Sequence, residues 1–196
     1  MILPQNLSIL LGSGSPRRKM LLEQMEIDHV VDVKPIEEIY NPTLQGEEIT
    51  SFLAQQKGRA FQKDLDLKQL VITADTIVWF EGKALGKPKN KKDAKQMLQS
   101  LSGKTHQVIT SVCFTSLSLQ HTISCFTDVT FTKLTEENID SYVHSESPLD
   151  KAGSYGIQDS FGLLAVAEIN GSYTNVMGLP CMQTYEALTE FIRSAF

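Results

Sequence analysis

Leu70-Val71-Ile72-Thr73-Ala74-Asp75-Thr76-Ile77-Val78-Trp79-Phe80 is a β-branched run that reads as one strand, with a single acid inside it. An ionised carboxylate within a buried strand is expensive unless it is paired or binds a metal. Two arrangements answer this. Either the strand ends at Ala74 and Asp75 faces water, or Asp75 stands at the strand's exit into a cleft. The β-branched residues that continue past it favour the second, and there an Asp is suited to be a Mg²⁺ ligand or a general base.

Working outward from this strand, the chain alternates helix and strand signals. Leu7 to Leu11 reads as a short buried strand, broken by Gly12-Ser13-Gly14-Ser15. Ser15 followed by Pro16 is a helix start, and the helix should run to about Met25. Val30 to Val33 reads as a second short strand, followed by a polar loop with Pro35 and Pro42. Thr50 to about Asp64 is expected to be a helix with the apolar stripe Ile49, Phe52, Leu53 and Ala60.

Beyond the central strand, Glu81-Gly82 turns into a short partner strand. Asn90 caps a helix with Ala94, Met97, Leu98 and Leu101 on one face, ended by Gly103. Lys104 to Leu117 and His121 to Lys133 read as an antiparallel pair, with Ile123, Cys125, Thr127 and Val129 on one side of the second. Thr135 caps a helix carrying Ile139, Tyr142 and Val143, and Pro148 stops regular structure. Leu163 to Ile169 is expected to be a strand turned by Gly171, and Pro180 opens a last helix with Tyr185, Leu188, Phe191 and Ile192 on one face. The expected fold is one α/β domain over residues 1–196 with a mixed sheet, and the order is not the repeating βαβ of a plain dinucleotide-binding fold.

Composition narrows the function. The formal net charge of −5 disfavours a grip on long nucleic acid, which rests on many Lys and Arg contacts to phosphates. Any phosphate binding should be local. Three cysteines without C-x-x-C spacing argue against a disulfide framework or a zinc site. Met1 to Asn6 has no basic start to a secretory leader, and no run approaches the roughly 20 apolar residues of a spanning helix. A reducing cytoplasm fits.

Gly12-Ser13-Gly14-Ser15-Pro16-Arg17-Arg18-Lys19 places a small-residue loop between a strand and a helix N-terminus. Such a loop exposes backbone N–H groups at the positive end of the helix dipole, which suits a phosphate. Three cations in the first turn stand at the wrong end of the helix unless an anion sits there; otherwise the loop is an ordinary capped start with solvated charges. It is neither a Walker A loop nor a G-x-G-x-x-G fingerprint. Lys57 falls beside the apolar face of its helix, where it either snorkels to water or reaches an anion in a cleft. Glu37 and Glu38 lie in a polar loop and either face water or complete an oxygen site with Asp75. Lys87 sits in the rigid Gly86-Lys87-Pro88 loop, and Gln158 ends a Gly-rich stretch where its amide can both donate to and accept from a base edge. The histidines show no metal-ligand spacing, and His106 is expected to be structural.

These pieces recur in order along nearly the whole chain. Ser13-Gly14-Ser15-Pro16-Arg17-Arg18 resembles the S-x-S-P-R-R signature of the Maf-like proteins. Ala74-Asp75-Thr76, Gly86-Lys87-Pro88 and Gly103-Lys104-Thr105-His106 are similar to that family's middle. Lys151 to Gln158 and Asn175-Val176-Met177-Gly178-Leu179-Pro180 resemble its last third. The resemblance implies an elongated, two-lobed α/β fold around a central cleft, akin to the inosine-triphosphate pyrophosphatases. It implies cleavage of a nucleoside triphosphate between the α- and β-phosphates with a divalent cation, Mg²⁺ or Mn²⁺, usually by a homodimer.

By position, the resemblance makes Asp75 the catalytic acid residue, the proton acceptor, while the metal is expected to be held by the triphosphate and by Asp75 or Glu38. Arg17, Thr76 and Gln158 fall where the family sets base preference, and Ser13, Arg18, Glu38, Lys57 and Lys87 on its other site positions, with Ser15 added as part of the phosphate loop. The Tyr155-Gly156-Ile157-Gln158 stretch resembles the branch acting on dTTP and UTP rather than the one acting on a methylated purine triphosphate. A non-enzymatic, nucleotide-binding regulator of septum formation is the competing class. Four positions depart from the family pattern: Gly12 for Ala, Gly58 for Ala after Lys57, Ser111 for Gly, and Asp159 for Gly beside the base reader.

Overall fold

The computed structural model describes residues 6–145 and 148–196, so the stretch through Gln5 read for a leader lies outside the described residues. Seven strands form one mixed sheet in the order β2-β1-β3-β5-β6-β7. These are β1 (Ser8–Leu11), β2 (Val30–Val31), β3 (Gln69–Phe80), β4 (Lys83–Leu85), β5 (Thr105–Thr115), β6 (Gln120–Phe131) and β7 (Val166–Asn170), with β4 paired to β3 off the main path. β1 runs parallel to β2 and β3, and the other pairings are antiparallel. The helices are α1 (Pro16–Gln24), α2 (Glu47–Gln62), α3 (Lys91–Leu101), α4 (Glu136–Ser145), α5 (Ser160–Ala165), α6 (Tyr173–Val176) and α7 (Cys181–Ala195). Among the described residues, no helix is long and apolar enough to cross a membrane.

Strand alternation divides the core in two. Ile72, Ala74 and Val78 of β3 and Val108, Val112 and Phe114 of β5 join the main cluster with Leu22, Leu98, Leu188 and Phe191. Ile77 of β3 and Ile109 of β5 point the other way and pack on Ile49 and Leu53 of α2.

One feature of register opens the site. β1 pairs with β3 only from Gln69 to Ile72, and β4 pairs with it only from Val78 to Phe80. Residues 73–77 therefore have no strand partner on that edge. β3 continues unbroken through this window, held on its other edge by β5. Asp75 thus lies in the middle of a strand, which corrects both sequence alternatives. It reaches a cleft because neighbouring strands stop, not because its own does.

Three other expectations change. α2 begins at Glu47, three residues before the expected start, because Glu48 Oε2 accepts from the Gln45 N–H at 2.9 Å and two acids favour the first turn. Its buried face is Ile49, Thr50, Leu53, Ala54, Gly58 and Phe61, so Phe52 is turned outward. In α7 the buried face starts at Thr184 rather than the exposed Tyr185. The expected strand from Leu163 is helix until Ala165: Phe161 and Ala165, four apart, bury together, and Leu163 and Leu164 are each 77% exposed.

Two family departures are close-packing solutions. A Cβ on Gly12 would lie 2.6 Å from Thr73 Cγ2, and one on Gly58 would lie 2.4 Å from Thr115 Oγ1. These glycines let the loop after β1 and the middle of α2 press onto the sheet.

Candidate active site

α1 starts as its sequence demands. The Ser15 hydroxyl caps it by accepting from the Arg18 N–H at 3.4 Å, Pro16 takes the first position, and no acid stands in its first turn. The preceding Ser13 is buried and its Oγ accepts from the Ser15 N–H at 3.3 Å. Arg18 folds back across this loop. Its Nε donates to the Gly178 carbonyl at 2.8 Å, Nη1 to Ser13 Oγ at 3.1 Å and Nη2 to Thr76 Oγ1 at 3.1 Å. Three of its five N–H donors are engaged, and the guanidinium is locked in one orientation. Burial pulls Arg18 below its ordinary value, with Asp75 and Glu38 acting against that and Arg17 adding to it.

On the other side of β3, Lys57 of α2 holds two carboxylates. Its Nζ lies 2.7 Å from Asp75 Oδ1 and 2.9 Å from Glu38 Oε1. The snorkelling alternative for Lys57 is therefore not what the fold adopts. Asp75 is 8% exposed, and burial raises its pKa despite Lys57 and Arg18, with Glu38 adding to the rise. Burial also works against the Glu38 charge. There, however, the hydrogen bond and charge of Lys57, with Lys87 and Arg18, prevail and hold the carboxyl below its ordinary value. Two neighbouring acids are thus pushed in opposite directions.

A cleft of about 720 Å³ runs along the open edge of β3. Ser13, Ser15, Arg17, Arg18, Glu38, Lys57, Asp75, Thr76, Lys87 and Gln158 all line it. All ten residues singled out from the sequence meet here, although they span 145 positions from Ser13 to Gln158. Glu38 rather than Glu37 reaches the cleft. Arg17 is steadied by Asp150, whose Oδ2 accepts from Nη1 at 3.3 Å. Asp159, expected to add charge beside Gln158, is engaged elsewhere: it lies 3.4 Å from Lys151 Nζ and accepts from the Tyr142 hydroxyl at 2.9 Å.

The sequence reading missed the supports beneath these residues. Thr110 and Asn175 are fully buried behind Thr76, and Ser111, opposite Asp75, joins Thr50 and Ser124 through hydroxyl contacts of 2.6 and 2.8 Å. The Ser111 departure is thus part of a polar stripe under α2. Register was the only signal for Thr110, and it exists only once β3 and β5 are paired; Ser111 showed in the sequence only as a departure from the family pattern. His106 is structural as expected. It is buried with its Nε2 2.7 Å from the Tyr155 hydroxyl, and burial pulls it from 6.5 to about 4, against Asp128 nearby.

Six cations, a helix N-terminus and three carboxylates line one cleft, a set that can hold a polyphosphate and place an acid beside it. The chain is 50% identical over 187 residues to a Flavobacterium johnsoniae protein named dTTP/UTP pyrophosphatase, covering 94% of this chain and 95% of that one. A Bacteroides fragilis protein of the same name is 51% identical over 183 residues, covering 93% and 95%. A solved dITP/XTP pyrophosphatase from Mycobacterium abscessus superposes with a TM-score of 0.45 at 11% identity, covering 96% of this chain and 95% of that one. Residues 8–191 match the profile of the family described as Maf-like protein, and with half its residues shared with such relatives over nearly full length, this chain belongs to that family.

Proposed function

We propose that this protein hydrolyses a nucleoside triphosphate, dTTP and UTP favoured, to the monophosphate and pyrophosphate, with the whole chain acting as one domain. The observation that carries this reading is the meeting of a buried acid, Asp75, with Arg17, Arg18, Lys57, Lys87 and the α1 N-terminus along one cleft. The similarity to proteins named dTTP/UTP pyrophosphatase supports the choice of substrate.

In this reading Ser13, Ser15 and the first N–H groups of α1 receive phosphate oxygens. Arg18, fixed by three hydrogen bonds, offers its two remaining N–H donors without reorganisation. Lys87 takes up charge that moves onto the departing pyrophosphate, and Arg17, Thr76 and Gln158 face the base. Asp75, held charged by Lys57 yet raised by burial, is a stronger base than an ordinary carboxylate and accepts the proton of the attacking water. The reaction needs little covalent chemistry, so positioning and electrostatics dominate.

The residues also fit a divalent cation. Asp75 and Glu38 offer hard oxygen donors converging on Lys57, and among the described residues no three His, Cys, Asp or Glu side chains form a metal-binding group. Mg²⁺ is commonly held by one or two carboxylates with substrate phosphates completing its shell, and Mn²⁺ accepts the same donors. Bound there, such a cation supplies charge neutralisation to the triphosphate. A cytoplasmic setting suits the three free cysteines, whose thiols burial pushes up. The exposed Leu163 and Leu164 suit cover by a second copy in a homodimer, to be checked by sedimentation.

The test is incubation with Mg²⁺ and a panel of canonical and modified triphosphates, with products identified. Monophosphate and pyrophosphate from dTTP and UTP, lost on chelation and in Asp75→Asn, are expected. Folded protein that binds these nucleotides and turns over none would sink the reading.

A further inference from the structure

Behind the cleft-lining Thr76 lies a chain of hydroxyls whose direction can be worked out atom by atom. Thr76 and Thr110 face each other across β3 and β5, with their Oγ1 atoms 2.9 Å apart. Thr110 Oγ1 also lies 3.0 Å from the Asn175 carbonyl oxygen. A carbonyl can only accept, so the single hydroxyl proton of Thr110 is committed to Asn175. Between the two threonines, Thr76 must then be the donor. Arg18 Nη2, 3.1 Å from Thr76 Oγ1, can only donate; it occupies one of the two lone pairs there and is compatible with this sense. The chain runs one way: Arg18 N–H to Thr76, Thr76 O–H to Thr110, Thr110 O–H to the Asn175 carbonyl.

The terminal acceptor is immobile. Asn175 is fully buried, and its Nδ2 donates to the Val108 carbonyl at 3.1 Å and to Thr127 Oγ1 at 2.8 Å. The Asn175 carbonyl also accepts from the Gly178 N–H at 2.9 Å, so reversing the chain would not orphan it, but it would leave the Thr110 and Asn175 oxygens 3.0 Å apart with no proton between them, a repulsive contact. Thr76 therefore keeps its one proton turned inward and shows the cleft only a lone pair.

We propose that Thr110, buried and outside the cleft lining, is a positioning residue that makes Thr76 an obligate acceptor and so selects a base carrying N–H at ring position 3. This rests on the reading of the cleft as a nucleoside-triphosphate site with Thr76 toward the base. Uracil and thymine carry that N–H. Cytosine has a bare nitrogen there and would set lone pair against lone pair. A site built for one sense of hydrogen bond rejects the analogue that lacks it, because its own polar group is left unpaired.

The experiment measures kcat/KM for UTP and CTP in the wild type and in Thr110→Val, Thr110→Ser and Thr76→Val. Thr110→Val frees the Thr76 proton to turn into the cleft, and the UTP/CTP ratio should fall by roughly tenfold. Thr110→Ser retains the chain and should retain the ratio. A Thr110→Val protein that loses activity on both substrates alike, ratio unchanged, overturns the proposal, since a merely structural role would do the same. Thr76→Val separates the two levels. If it lowers the ratio while Thr110→Val does not, the base contact stands and the relay is wrong. If Thr76→Val leaves the ratio untouched, Thr76 does not face the base and both fall. The unmutated enzyme gives a further check that needs no variant to fold. UTP methylated at N3 should be turned over roughly tenfold or more less efficiently than UTP, and equal turnover would refute the selection.

Discussion

Asp75 and Thr76 are consecutive residues of one strand, yet the fold answers them by different physics. Asp75 points toward α2, where a buried charge is countered by the Lys57 ammonium and, through it, by Glu38. Thr76 points to the opposite face, where neutral hydroxyls pass hydrogen bonds inward to a backbone carbonyl. The first face holds reactive groups whose charge states are unsettled by their surroundings. The second holds groups with fully assigned protons. A single open edge of β3 exposes both to one cleft, so the unstable charge and the fixed hydrogen-bond pattern act on the same ligand.

The contrast can be broken most severely at Asp75. Asp75→Asn should lower turnover at least about a hundredfold, as expected for removal of a general base. The sign for stability is the reverse. The native pKa is raised, so the ionised form destabilises the fold once pH rises through that value. Thermal melts at pH 7 should place the variant at or above the wild type, with the gain vanishing in acid where Asp75 is protonated in both states. A variant that loses both activity and stability would show that the charge is structural.

Removing the counterion tests the same face from the other side. Lys57→Met leaves Asp75 buried without its partner and should cost about 3 kcal/mol at neutral pH. Urea unfolding of the double variant with Asp75→Asn should recover most of it, whereas additive losses would mean that Lys57 acts through packing.

The opposite face has an opposite pH response. His106 sits on the Thr110 side of β5 with a native value of about 4 against 6.5. Its neutral form is favoured by the fold, so stability present above 6.5 is lost as pH falls toward 4, by up to about 3 kcal/mol. His106→Gln should flatten that part of the stability–pH curve, and an unchanged slope would place its origin elsewhere. The smallest effect is expected at the rim. The Asp150 side chain is 52% exposed, so Asp150→Ala should change stability by less than about 1 kcal/mol and act mainly by loosening Arg17, seen as a raised KM.

How much of this could be read from the chain differs between the two faces. Asp75 announced itself because an acid in a β-branched run violates the pattern around it. The Ser13 to Arg18 loop did so because its small residues and misplaced cations ask for an anion. Thr110 gave no such sign, since a threonine in a strand breaks no rule, and Ser111 showed only as a departure from the family pattern, which says nothing of its partners. Asn175 was visible only as the start of the motif running to Pro180, and it takes the side-chain bonds to Val108 and Thr127 to show that it anchors the relay. The helix at Ser160–Ala165 was masked by apolar residues at Leu163 and Leu164 that the fold leaves exposed.

The sequence by itself determined the order of the strands, the mixed α/β class and which residue types would do the work, because these follow from local periodicity, caps and the cost of a charge in an apolar run. Tertiary structure alone decided that β1 and β4 leave residues 73–77 of β3 open, that Lys57 turns to Asp75 rather than to water, and which way the Thr76 proton points. Each of these depends on contacts between residues distant in the chain, and a hydrogen bond takes its direction from a partner that only folding brings near.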